Sequence, residues 1–488
     1  MRDAERMRRR TCRTSGPVIG LFVYLCTAVW SPAQAEVKLD ALFTSGGVLQ
    51  QGMRVPIFGS GTKGDSVLVT IQDQRATTTV GDDGRWRVEV GPLKPGGPYQ
   101  LNVTGERLIT VREMMVGEVW ICAGGTNMQW TVVRSKGFGG VMSYEGNKQL
   151  SLFTQKRSEG AAEPRFASDG LWIRAGAASV GTFSAVAYFF GRYLQPNVEV
   201  PVGLISCNTF DSTIEGWISH ETLKNTPELA AALEKPISPF VLRSPTVLYN
   251  AMVSPLLQYG VRGVVWYHGE SETESAYAYR QALTAMIGDW RKAAGRPDLP
   301  FIIVQHAPYK VISKTYKESK LAELRESQFV VARQTPNAAL TVITDYGDQF
   351  DLHPPLKEPV GQRIAVTAAG AVYGAKTIFQ GPTYSGVKFL RNEAVLTFDQ
   401  VGGGLKTSDD KELTGFVIAG ADKVFHEAKA AIKDGTIVVT AAEVAAPAAV
   451  RYGWADYPTG NLVNQEGLPA SPFRTDTFPL LTQPKPAK

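Results

Sequence analysis

The sequence predicts an α/β protein in which a parallel sheet, sandwiched by helices, is flanked by an N-terminal and a C-terminal β domain. Three observations predict it. Between residues 117 and 375, short β-branched and aromatic runs alternate with helical segments, the pattern of a sheet covered on both faces. On either side, strands that alternate apolar and polar residues are separated by glycine-rich turns. The chain, 488 residues with 44% hydrophobic and 20% charged residues, is long and apolar enough for several cores.

Four segments are expected in order. Residues 1–35 read as a secretory signal peptide: Arg2, Arg6, Arg8, Arg9, Arg10 and Arg13 form a basic start, and the apolar run from Val18 to Trp30 is too short to span a bilayer. Ala33-Gln34-Ala35 then supplies a small-x-small cleavage site, so the mature chain is expected to begin after Ala35, in the periplasm or outside the cell. Residues 36–116 read as a small β-sandwich, with "RVPIFGSG", "DSVLVTIQD" and "YQLNVTG" as strands and "GDDGRW" as a hairpin turn. Residues 117–375 form the α/β catalytic domain, and residues 376–488 a second β domain containing "EAVLTFD", "GFVIAGAD", "GTIVVTAAEV" and "AVRYGWAD".

Charge narrows the partners. The leader holds six of the 51 basic and two of the 46 acidic residues, which leaves 45 and 44 in the mature chain. A near-neutral surface without basic blocks argues against nucleic acid. No later run is apolar enough to cross a membrane. Of four cysteines, Cys122 and Cys207 remain after cleavage; they could pair if their strands are neighbours, and they read as buried thiols in preference to a bridge.

Ligands in such sheets bind at the carboxyl ends of the strands, and the unusual polar residues fall there. "GEVWICAGGTNMQW" ends a strand in a glycine turn and presents Thr126, which is either a nucleophile or a helix N-cap. "DYGDQFDLHPPLK" places His353 two residues after Asp351 in a proline-stiffened loop, as a base and its orienting carboxylate. "SCNTFDSTIEGW" brings Phe210 and Asp211 to the same end, and "WYHGESE" brings His268, Glu270 and Glu272. Glu270 reads equally as a functional carboxylate or one bonded to loop amides, and His220, His306 and His426 read as ordinary histidines.

Seven ordered blocks, "GEVWICAGGTNMQW", "VPVGLI", "IEGW", "LYNAMVSPL", "GVVWYHGES", "DLHPPLK" and "VRYGWADYPTGNLVNQEGLPASPFRTD", resemble the sialate O-acetylesterase family of secreted carbohydrate esterases. The resemblance implies an SGNH-hydrolase fold and removal of O-acetyl groups from sialic acid or related glycans, with no cofactor and no metal. It places the family's nucleophilic serine on Thr126, its preceding glutamine on Gly125, and its base and orienter on His353 and Asp351. Asn127, Gly125, Asp211, His268, Glu270 and Glu272 form the expected oxyanion or substrate-binding set.

Several of these depart from the family pattern. Phe210-Asp211 replaces a glycine pair, His268 a glutamine, and Glu272 an asparagine, so a donor becomes an acceptor. A carboxylate at Asp211 or Glu272 is expected to repel a forming oxyanion, and threonine stiffens the nucleophile's χ1. Three readings follow: an esterase with an altered site, a degenerate member that binds glycans without cleaving them, or a site repurposed around Asp211, His268, Glu272 and His353 for a metal or for glycoside cleavage. The spacing matches no established metal motif.

Overall fold

In a computed structural model of the chain, the described residues are 36–142, 147–157, 161–234, 241–312 and 318–484; the expected signal peptide lies outside them. After two short strands, Lys38–Leu39 and Val48–Gln50, six longer ones lead to the site: β1 (Val55–Ser60), β2 (Ser66–Ile71), β3 (Gln74–Thr79), β4 (Arg85–Val90), β5 (Gly96–Thr104) and β6 (Leu108–Gly124). The turn at "GDDGRW" forms, with Gly84 at φ +73°, but it does not join a hairpin. β3 pairs with β2, whereas β4 pairs with β1 in a separate sheet. Turn chemistry fixes the chain reversal; burial of Trp86, Val88 and Val90 along one face of β4 decides its partner.

β6 is the spine of the molecule. Its first half pairs antiparallel with β5, and its second half is the centre of the parallel sheet, so the boundary expected at 116/117 falls inside one continuous strand. The following elements are β7 (Asn147–Thr154), β8 (Trp172–Ala175), helix α2 (Ala185–Val198, preceded here by the short α1, Thr126–Gln129), β9 (Val202–Asn208), β10 (Gly263–Tyr267), α3 (Ala276–Ala293), β11 (Phe301–Val304), α4 (Lys320–Gln334), β12 (Ala338–Thr341) and α5 (Glu358–Ala371). The sheet order is β8-β7-β9-β6-β10-β11-β12, parallel except for β8.

Every β6 residue from Val116 to Gly124 is buried, as expected of a strand covered on both faces. Val119, Ile121 and Ala123 enter one apolar cluster, and Trp120 and Cys122 the other, which α2 and α5 close. The register also settles the cysteines. Cys207 lies opposite Ala123 and Cys122 opposite Ser206, so the two thiols enter different clusters; both are free, and burial pushes both well above the usual thiol range.

The chain ends in antiparallel strands that include Glu393–Asp399, Phe416–Ala419, Thr436–Thr440 and Ala449–Tyr452, the four expected runs. They are joined to the α/β layers by buried Arg325 of α4, which donates to the carbonyls of Ala455 and Asp456 at 2.8 and 2.9 Å. Among the described residues no helix is long and apolar enough to cross a membrane.

Candidate active site

The site lies at the carboxyl ends of β6, β9 and β10, where the chain turns sharply after β6. Gly124 has φ +144°, and a Cβ there would sit 2.0 Å from the Tyr267 carbonyl oxygen, so only glycine allows β6 and β10 to meet at their tips. Gly125 N–H donates to the same oxygen at 2.9 Å. Gly125 is the N-cap of α1 and makes no side-chain cap bond of its own. Thr126 is therefore the first helical residue, and its hydroxyl does not serve as the cap that the sequence allowed.

Asn127 connects three segments. Its backbone N–H and Nδ2 both donate to Glu270 Oε1, at 2.8 and 2.9 Å, and Nδ2 also donates to the Leu352 carbonyl at 3.2 Å. Its Oδ1 accepts from Lys357 Nζ at 2.5 Å. The nucleophile turn, the loop after β10 and the His353 loop thus share one buried amide. Because Asn127 follows Thr126 and Leu352 precedes His353, this bond ties together the two chain segments that carry the candidate nucleophile and base.

His353 is half-buried and stacks on Trp130, with centroids 6.1 Å apart and planes 23° apart. Its N–H donates to Asp351 Oδ1 at 2.7 Å, and its ring Nδ1 lies 3.8 Å from the same oxygen, near enough for orientation after a small ring shift. Burial holds the imidazole below its ordinary range; Lys357 and Arg134 push the same way, and Glu270 and Asp351 oppose them. Glu270 is held below the usual carboxylate range even though burial alone would raise it: the His268 and His306 rings and the Asn127 N–H outweigh that penalty. The nearby imidazoles are themselves kept neutral by burial, His306 at about 4, so at neutral pH the Asn127 bonds are the lasting cause.

Three expected site residues are engaged elsewhere. Buried Glu272 accepts from the Ile214 N–H at 2.8 Å and from Ser275 Oγ at 2.9 Å, which makes it a tie for the "IEGW" turn in place of the expected oxyanion partner. His268 is buried and stacked between Trp266 and Tyr279, at centroid distances of 5.1 and 6.0 Å, with Nε2 3.1 Å from the Ser212 carbonyl. The Asp211 carboxylate pairs with Arg243, so the repulsion expected from an isolated charge is neutralised. Asp211 also has φ +51°, a left-handed conformation that suits the glycine of the family pattern. Beside it, Phe210 is exposed with Arg157 4.9 Å over its ring.

A measurable consequence follows for the pair. Asp211→Gly exchanges roughly 1 kcal/mol of backbone strain for an exposed ion pair worth about 0–1 kcal/mol, so the unfolding free energy stays within about 1 kcal/mol of the parent. Arg243→Ala leaves the carboxylate unpaired, and a larger drop in kcat/KM for Arg243→Ala than for Asp211→Gly is expected in a 4-nitrophenyl acetate assay. The reverse order would mean that the Asp211 carboxylate itself supports turnover.

Lys357 is the site residue that sequence reasoning missed. It ends "DLHPPLK", immediately before α5, where a lysine reads as a solvated helix start. Here it is 1% exposed, and its ammonium lies 5.6 Å from the Trp130 ring and 5.9 Å from the Tyr267 ring. Burial pushes it down to about 7, against the pull of Glu270 and Asp351. The signal available in the sequence was its place in a proline-rich stretch directly after the histidine, but nothing local showed that Asn127 would cover it.

Comparison with known proteins shows the family. Residues 116–352 match the family described as carbohydrate esterase, sialic acid-specific acetylesterase. Sialate O-acetylesterases of rat and mouse are 30% and 29% identical over 412 and 450 residues, covering 70% and 79% of this chain and 75% and 83% of theirs. The crystal structure of a carbohydrate acetylesterase from Xanthomonas citri is 35% identical, with a TM-score of 0.84, and the match covers 91% of this chain and all of that one, 100%.

Proposed function

Since the chain belongs to the sialate O-acetylesterase family of carbohydrate esterases, with its SGNH-type fold, we propose that it removes O-acetyl groups from a glycan, with Thr126 as nucleophile, His353 as base and Asp351 as orienter. One observation carries this reading: the Asn127 Nδ2 bond to the Leu352 carbonyl, 3.2 Å, which fastens the Thr126 turn to the His353 loop. Thr126 Oγ1 attacks the ester carbonyl carbon as His353 accepts its proton. The Thr126 N–H, the first amide of α1 and without an acceptor inside the helix, donates to the oxyanion. Collapse breaks the bond to the sugar oxygen, which takes the proton from His353. A water, deprotonated by His353, then cleaves the acetyl-threonine to acetate and free Thr126.

The substrate class within this reading is an acetylated sialic acid or a related glycan. The expected leader, residues 1–35, accords with an enzyme that meets its glycan in the periplasm or outside the cell. Acetate release from a 9-O-acetylated sialic acid tests the reaction, with His353→Ala as the control that removes it. Because the base must be neutral and burial lowers His353, kcat/KM is expected to stay high down through pH 6.5 and to fall only below it. A purified protein that binds the glycan and releases no acetate would instead establish the degenerate, binding-only reading.

A further inference from the structure

Among the described residues Lys357 is the single buried amine in contact with this site, and its partner is the amide that holds the site together. We propose that Lys357 is a positioning residue for ester cleavage: by donating to Asn127 Oδ1 it fixes the amide so that Nδ2 faces Glu270 and the Leu352 carbonyl, and so holds the Thr126 turn against the His353 loop. The proposal rests on the esterase reading above for its catalytic meaning and on the geometry alone for its structural one.

The amide of Asn127 has two orientations. With Oδ1 towards Lys357 at 2.5 Å, its Nδ2 donates to Glu270 at 2.9 Å and to the Leu352 carbonyl at 3.2 Å. Turned over, Nδ2 would meet an ammonium that can only donate, and Oδ1 would meet a carboxylate and a carbonyl that can only accept. The lysine therefore excludes the turned form. A hydrophobic residue of similar volume would remove the bond to Oδ1 and leave the amide held from one side, by Glu270 and the Leu352 carbonyl, which loosens the bond between the two halves of the site.

A buried ammonium is a poor choice for stability alone. Burial opposes its charge, and an ordinary structural lysine would be solvated. The folded form holds its proton less tightly than the unfolded chain, so below the ordinary lysine range protonation favours unfolding. Lys357→Met removes that penalty. A residue kept only for packing or stability would lower the unfolding midpoint when replaced; this one is expected to leave it unchanged or raise it while lowering turnover.

The charged groups around it are few. Lys357 faces Glu270 from the loop after β10 and Asp351 from the base loop, and the rings of Trp130 and Tyr267 flank it. His353 faces Lys357, Glu270, Asp351 and Arg134, and His306 lies within electrostatic reach of His353. As pH rises through about 7 the ammonium is lost, so turnover gains an alkaline limb there in addition to the acid limb of His353.

Four measurements on the full mature chain test this. With 4-nitrophenyl acetate, Lys357→Met should lower kcat on the order of 100-fold with KM changed less than about threefold, the loss expected of a misplaced catalytic group. Lys357→Arg, which keeps donor and charge, should retain more activity than Lys357→Met and lose the alkaline limb near pH 7, because its guanidinium stays charged. Thermal unfolding should show no fall in midpoint for Lys357→Met. Nuclear magnetic resonance titration of the histidine rings, with His353 assigned by its absence in His353→Gln, should show the His353 pKa higher in Lys357→Met than in the parent.

Full kcat in folded Lys357→Met, or a loss confined to KM, overturns the proposal. So does a lowered unfolding midpoint in proportion to the activity lost. If the parent itself releases no acetate, the esterase reading has failed, and the proposal is judged by the ring titration: an unmoved His353 pKa in Lys357→Met overturns it, and an upward shift sustains it.

Discussion

Thr126→Ala is expected to lower kcat by at least about 10³-fold, and Thr126→Ser to raise it by roughly 3- to 10-fold. The first effect follows from removing the only hydroxyl that the β6 turn presents. The second follows from the β-methyl. The turn cannot shift to relieve crowding, because Gly124 is wedged against the Tyr267 carbonyl and the Gly125 N–H is bonded to the same oxygen at 2.9 Å. Whatever rotamer strain attack requires, about 0.5–1.5 kcal/mol, must therefore be borne by Thr126 itself, and serine avoids it. Burst and steady-state kinetics with 4-nitrophenyl acetate check both; full turnover by Thr126→Ala would remove Thr126 from the mechanism.

Gly124→Ala is expected to destabilise the fold by about 4 kcal/mol, read as a lowered urea midpoint. The added Cβ would lie 2.0 Å from the Tyr267 oxygen and 2.6 Å from its carbon, atoms of the neighbouring strand that cannot turn aside. The position also has φ +144°, which an L side chain rarely adopts. Overpacking of about 1–3 kcal/mol and backbone strain of similar size combine. A midpoint within error of the parent would mean that β6 and β10 separate freely at their tips, and the placement of Thr126 would lose its rigid base.

Much of the fold was legible because burial on two faces leaves a local mark. The runs "EVWICAGG", "VPVGLISC" and "GVVWYHGE" became β6, β9 and β10 because continuous apolar strands have few other ways to be satisfied. The "GDDGRW" stretch reads as a hairpin turn, and the turn forms without the hairpin, since the partner of β4 depends on which residues across two sheets bury Trp86. The site divides in the same way. Thr126, Asp351 and His353 stand out by sequence context alone, whereas the engagement of Glu272 by the Ile214 N–H depends on a contact between residues 58 positions apart.

By itself the sequence determined the order of the layers, the strand ends at which polar residues gather, and the nucleophile, base and orienter as candidates, because each of these is written in spacing over a few residues. Only the tertiary structure decided what the charged groups do. It joined Asn127 to Lys357 across 230 positions, paired Asp211 with Arg243, and turned Cys122 and Cys207 into opposite faces of the sheet. The physical reason is that the consequence of a charge depends on its partner and on its exclusion from water, and both are set by chain segments far apart in sequence.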